Sequence, residues 1–326
     1  MPWNGCSQYQ VTTVDMGDGR ERSRLSRKAA LSRHRYGQPG PAIPRKYGIV
    51  GAAAQSAPSA RPASGRLDRM RILFVGDVFG KPGRDALLRW LPGFCEERAV
   101  DFVVANGENA ANGAGITTRI AQRLLDGGVD VITTGNHVWR QKDIYPFLAA
   151  DERIVRPANY PVGAPGRGLT VRPAREGGEV AVVNLAGDLY LNSGMSPFRI
   201  VDRLVEEAQQ LAETILVDLH AEATSEKVAM GHHLDGRVTA VVGTHTHVQT
   251  SDARVLDGGT AYVTDVGMTG PRDSVIGVRT DIILQRFTTE LPQRFEVAEG
   301  PVRLNAVLID SDGGRATSIG AIDSVL

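Results

Sequence analysis

Cysteine is scarce. The chain has two in 326 residues, Cys6 and Cys95, far apart in sequence. That excludes a disulfide framework and a thiolate metal site, and it makes a reducing cytoplasm the expected compartment. No apolar run approaches the roughly 20 residues that a membrane helix needs, so no membrane partner is expected. Aromatic residues are 6% of the chain and scattered, so no base-stacking set is visible. Net charge is absent as well, but its zero hides an asymmetry. Residues 1–69 hold 12 Lys/Arg against 4 Asp/Glu, a net of +8, which leaves 25 against 33, a net of −8, for residues 70–326.

The basic segment 1–69 lacks periodic apolar patterning and carries "GAAAQSAPSARPASGR". It reads as a disordered extension. No apolar stretch of signal-peptide length comes after its basic residues. At Met70 the texture changes at once to "MRILFVGD", a start-like methionine followed by a buried-strand run. One reading is that residues 1–69 lie upstream of the true start. The other is a basic tail that touches nucleic acid or lipid.

From Met70 the chain alternates. Apolar strand runs are expected at 71–78, 101–109, 129–137, 179–188, 214–222, 237–247 and 260–268. Helical spacing marks 83–98 and 117–128, with a short helix at 142–150. A further helix is expected over 196–212, opened by Ser196 as N-cap and Pro197. The tail reads as a hairpin around Asp312-Gly313-Gly314. Strands buried on both faces between helices imply an α/β layered fold with mixed sheets.

The strand ends are more specific. The first run closes on Gly76-Asp77, the second on Gly107-Glu108-Asn109, the third on Gly135-Asn136-His137. The run at 214 ends in His220, and the run at 237 ends in His245 and His247. Singly, each has an ordinary reading: a turn aspartate, loop polarity, a satisfied core histidine. Jointly, five strand ends deliver oxygen or imidazole groups, and α/β sheets build their sites outside the carboxyl ends of strands. The convergence points to a metal site.

These residues resemble the calcineurin-like metallophosphoesterases. The stretches "GDVFG", "NGEN", "TGNHVW", "VDLH" and "GTHTH" come in the order of that superfamily's motifs. The departures are consistent with one branch. Phe79 stands where a histidine ligand is usual, Glu108 where the bridging aspartate is expected, and Val138 comes after His137. With "NGENAANGAGIT" and "YVTDVGMTGP", residues 70–326 resemble the YmdB-type bacterial phosphodiesterases. The resemblance implies two metal ions, iron or manganese favoured and zinc admissible. Asp77, Glu108, Asn109 and His247 would hold one, and Glu108, Asn136, His220 and His245 the other. His137 would be the general acid. It also implies hydrolysis of 2′,3′-cyclic nucleotides to 3′-nucleotides, with other phosphodiesters or RNA ends as further substrates, and a homo-oligomer. A phosphomonoesterase or 5′-nucleotidase on the same scaffold, and a non-catalytic regulatory metal-binding protein, are the competing readings. Asp188 and Asp265 also lie at the ends of strand runs, and Asp265 is placed either as a support for a ligand histidine or as a turn residue.

Every expected ligand lies beyond Met70. A chain beginning at Met70 is therefore expected to fold, stay soluble and keep full phosphoester turnover. Aggregation, or loss of most of its turnover, would show that the basic segment belongs to the working structure.

Overall fold

In the computed structural model, residues 69–326 are described. The expected basic extension lies outside the described residues, except that the first strand already begins at Arg69. The first half of the chain runs β1 (Arg69–Val75), β2 (Asp77–Val78), α1 (Gly80–Arg98), β3 (Phe102–Asn106), α2 (Thr118–Asp126), β4 (Val131–Thr133) and α3 (Ile144–Ala150). The middle runs β5 (Leu169–Pro173), β6 (Glu179–Ala186), α4 (Val201–Gln209), β7 (Thr214–His220), α5 (Thr224–Leu234) and β8 (Ala240–Thr244). The last part runs β9 (Arg254–Val255), β10 (Ala261–Val263), β11 (Met268–Pro271), α6 (Thr280–Thr289), β12 (Val302–Asp312) and β13 (Arg315–Val325).

These form two mixed sheets. One has the order β2-β11-β12-β1-β3-β4, with β13 paired to β12, and the other has the order β5-β6-β7-β8-β10-β9. Alternation along the strands explains how they stack. Ile72 and Phe74 of β1, with Phe102 and Val104 of β3, pack against Val180, Val182, Leu216, Ala240 and Val242 of the other sheet. Leu73 and Val75 point the opposite way, to Leu87 and Leu91 of α1 and Leu124 of α2. On the far side Val183, Val217 and Val241 meet Leu204 and Val205 of α4 and Met230 of α5. The expected layered α/β fold of mixed sheets flanked by helices is the observed one. Among the described residues no helix is long and apolar enough to cross a membrane.

Local chemistry sets several boundaries. Thr117 caps α2 by accepting from the Ile120 N–H, as Thr favours. The β12–β13 hairpin turns at Gly313 and Gly314, φ 54° and 73°, where a two-residue turn requires positive φ. The helix expected over 196–212 is a correction. Ser196 makes no cap bond, Pro197–Arg199 is a separate 3₁₀ turn, and α4 starts only after Ile200 at φ −124°.

Parallel pairing joins β1 to β3 to β4, and β6 to β7 to β8 to β10. The loop after β8 is fixed from behind by a buried ion pair. Lys227 Nζ lies 2.7 Å from Asp265 Oδ2, both side chains 1% exposed. The same carboxylate accepts from Thr246 N (3.1 Å) and Thr246 Oγ1 (2.7 Å), and its Oδ1 accepts from Gly267 N (2.8 Å). A Cβ at Gly243 would overlap the Thr264 carbonyl oxygen and lie 2.8 Å from Lys227 Cδ, so that glycine makes room first for the Thr264 backbone and then for the lysine stem. Breaking a buried pair leaves an uncompensated charge. Lys227→Met should lower the free energy of unfolding by about 3–5 kcal/mol, measured by denaturant titration. A change below about 1 kcal/mol, the range of an exposed pair, would show that Asp265 does not depend on it.

Candidate metal centre

His220 at the end of β7 and residues just beyond β1, β3, β4 and β8 meet at one edge of the stacked sheets. Glycines permit the approach. Gly76 packs against the Gly267 carbonyl so closely that a Cβ there would overlap it. A Cβ on Gly135 would overlap the His220 ring and lie 2.5 Å from Glu108 Oε2. The Glu108 backbone is held from the strand before it, where Asn106 Oδ1 accepts its N–H at 3.1 Å.

Two groups of donors result, and Glu108 belongs to both. Its Oε2 lies 3.2 Å from His220 Nε2. That nitrogen is also 2.9 Å from Asn136 Oδ1 and 3.1 Å from His245 Nδ1. Glu108, His220 and His245 bring one ligand atom each to within 4.8 Å of one another. The other oxygen, Glu108 Oε1, lies 2.8 Å from Asn109 Nδ2. The same amide reaches His247 Nε2 at 2.9 Å and Asp77 Oδ1 at 3.5 Å. The seven expected ligands are thus brought together. In this orientation Asn109 gives its nitrogen to the second group and its Oδ1 to His137 Nδ1, at 2.8 Å; a half-turn of an amide exchanges the two.

Each histidine is aimed by its other nitrogen. Thr244 Oγ1 donates to Asp218 Oδ1 (2.8 Å), so it accepts from His220 Nδ1 (2.9 Å) and leaves Nε2 for the centre. His247 Nδ1 donates to the Ile276 carbonyl at 2.9 Å, which leaves its Nε2 for the centre. His245 is turned the other way, with Nε2 3.2 Å from Glu222. His245 and His247 hold positive φ of 101° and 66°. Such strain persists only where the surroundings over-determine it; here Asp77 Oδ2 accepts the His245 N–H at 3.1 Å, and Asp265 holds Thr246 between them.

The cluster demands positive charge. Burial pushes the Asp77 carboxyl up, and His247 offsets this only in part. Burial also raises Glu108, but the His220 charge and hydrogen bonds from His137 and His220 outweigh it and hold that carboxyl well below its usual range. Burial lowers His220, yet Glu108 first, then Asp77 and Asp218, raise it to about 9. Beside it, burial and then the His220 charge push His245 down to about 3. One ring takes a proton and its neighbour refuses one. Carboxylates, amides and imidazoles without a thiolate fit cations of hard to intermediate character, and a cation bound here would replace that proton.

The centre lies at the floor of a cleft of ≈ 630 Å³, which His137, Arg140, Phe79, Ile276 and Phe295 also line. His137 is partly exposed there, its backbone N–H held by Glu108 Oε2 at 3.0 Å and its Nδ1 3.2 Å from Glu108 Oε1. From the sequence, Thr244 and Glu222 go unnoticed, and Asp218 is one of the strand-end residues with no role assigned. Asp218 carried a signal, since strand alternation puts it on the same face as His220. Of the two aspartates weighed from sequence, Asp265 supports the histidine loop, while Asp188 accepts from Ser193 Oγ within its own loop.

Comparison with known proteins bears on the family. A 2′,3′-cyclic-nucleotide 2′-phosphodiesterase of Bacillus subtilis (strain 168) is 51% identical over 243 residues, 74% of this chain and 92% of that protein. A crystal structure of a Thermus thermophilus protein superposes with a TM-score of 0.73 at 44% identity, covering 78% of this chain and 99% of that one. A structure described as a novel phosphatase from Mycoplasma pneumoniae gives 0.73 at 32% identity, covering 79% and 94%. The family model described as YmdB-like protein matches residues 73–322, and the chain belongs to that family.

Proposed function

We propose that the protein is a dinuclear metal-dependent phosphodiesterase that opens 2′,3′-cyclic nucleotides to 3′-nucleotides. One observation carries the dinuclear reading: the two oxygens of buried Glu108 face two different donor groups. Asp77, Glu108, Asn109 and His247 would hold one ion, and Glu108, Asn136, His220 and His245 the other. Iron or manganese suits such a set. The substrate class rests on the name and 51% identity of the Bacillus relative. The homo-oligomer and the cytoplasmic setting belong to the same proposal.

Bound there, two such cations supply Lewis-acid polarisation of the phosphate oxygens and an acidified water as nucleophile. The chain's residues supply the rest. As water attacks phosphorus, the bond from phosphorus to O2′ breaks and O2′ needs a proton. His137 stands in the cleft lining, and with both ring nitrogens protonated its Nδ1–H has Glu108 Oε1 at 3.2 Å as acceptor, which leaves the Asn109 oxygen for the ion. Its Nε2–H serves as the donor, and the ring recovers its proton from the attacking water. The Glu108 contacts, to the ring and to the His137 N–H, keep the ring in place through that exchange.

Turnover of bis(p-nitrophenyl) phosphate against the monoester, with and without metal, tests the class. Preference for the diester supports the proposal. Preference for the monoester would favour the phosphomonoesterase reading, and no turnover of either the regulatory one.

Glu108→Gln removes the charge that both donor groups share. Protein purified without chelator should lose most of its bound metal, read by elemental analysis. Two ions per chain at wild-type occupancy would defeat the bridging assignment.

His137→Ala should keep both ions and lose turnover on a cyclic nucleotide by about 10²–10⁴-fold, the usual worth of general acid help. On bis(p-nitrophenyl) phosphate the loss should shrink, because p-nitrophenolate leaves without a proton. Equal damage on both would make His137 a phosphate-positioning group, and loss of metal would make it a ligand.

A further inference from the structure

The cleft above the metal centre has one polar floor and one apolar wall. Phe79 and Val278 back the wall and are 4% and 8% exposed, whereas Ile276 and Phe295 form its open surface, 51% and 48% exposed. Ile276 is the anomaly. A β-branched residue at φ 47° is a genuine outlier, and such strain marks ligand clamps more often than inert loops. The loop that holds it is pinned on every side. Ser274 Oγ accepts from Gly277 N at 2.9 Å and donates to the Pro271 carbonyl at 2.6 Å. A Cβ on Gly277 would lie 2.5 Å from the Phe79 ring. Ala298 N donates to the Gly277 carbonyl at 3.0 Å, which lays the segment with Phe295 alongside. The Arg286 guanidinium of α6 sits 5.2 Å from the centre of the Phe295 ring and steadies it. The Ile276 carbonyl is the acceptor that aims His247, so wall and metal centre are held at a fixed separation.

We infer that Ile276 and Phe295 form the seat of the substrate's nucleobase, an inference that rests on the cyclic-nucleotide reading above. The cleft volume of ≈ 630 Å³ falls within the range of small-molecule sites. Glu222, Glu296 and Arg140 also line it, and Glu296 is already paired with Arg279 at 2.7 Å, so the charges stand around the apolar wall and leave its own surface to an uncharged ring. Stacking on an aromatic face accepts any base, because every base has a π-face. The enzyme should therefore discriminate little between the four 2′,3′-cyclic mononucleotides.

The test uses the full chain loaded with metal and two substrates: adenosine 2′,3′-cyclic phosphate, and methyl ribofuranoside 2,3-cyclic phosphate, which has no base. Phe295→Ala should raise KM for the nucleotide by about 5- to 100-fold, with kcat little changed and the base-free substrate unaffected. Phe295→Tyr, which keeps a ring, should restore the nucleotide KM. Unchanged nucleotide kinetics in Phe295→Ala, or an equal loss on both substrates, would overturn the seat. If the wild type turns over bis(p-nitrophenyl) phosphate but neither cyclic phosphate, the cyclic-nucleotide reading fails by itself. Binding of adenosine 3′-phosphate against ribose 3-phosphate then decides the seat. Tighter binding of the nucleotide that Phe295→Ala abolishes supports it, and binding indifferent to that substitution overturns it.

Discussion

One buried carboxylate organises the centre. Glu108 is fully shielded from water, and an ionised carboxylate in such a place is costly unless it is paired. Its two oxygens find different partners, His220 and the His137 N–H at Oε2, and Asn109 and the His137 ring at Oε1. Every other site residue is placed in relation to that split. Asp77 adds a second buried carboxylate close by, so the surroundings are starved of positive charge, and His220 answers with a proton when nothing else does.

The fold brings this about by ending parallel strands together. β1, β3 and β4 point their carboxyl ends the same way in one sheet, β7 and β8 do so in the other, and glycines let the next residues turn inward without collision. Supports then stand behind the donors. Thr244 and Asp218 fix one histidine, the Ile276 carbonyl fixes another, and Lys227 with Asp265 holds the strained loop between His245 and His247.

Much of this was legible in the sequence because the donors come after glycines at the ends of apolar runs, and both signals are local. The hairpin at Gly313-Gly314 was legible for the same reason. Less was visible wherever partners are distant in the chain. Nothing in the sequence marks Lys227, because its acid lies 38 residues away, beyond any spacing rule. α5 went unread: its "TSEKVAMGHHL" lacks a clear apolar stripe, and Gly231 is there to make room for the Tyr262 ring. Ser196-Pro197 imitated a helix start but opened only a 3₁₀ turn. No local pattern joins Ile276, in the loop after β11, to Phe295, beyond α6, and only the fold brings them to one wall.

The place of β12 governs when the site can come into being. β1, which ends beside Asp77, lies between β3 and β12, and its pairing with β12 runs from Arg69↔Asp312 to Val75↔Ala306. Gly76, the hinge into Asp77, donates to the Asn305 carbonyl. As the chain emerges from the ribosome, all the donors through His247 are made while one side of β1 still lacks its neighbour. The half-built sheet presents an open edge, the kind of surface that mispairs and recruits chaperones. Synthesis must run nearly sixty residues beyond His247 before Asp77 has its hinge, so this cluster is assembled late in the life of each nascent chain, however early its residues are encoded.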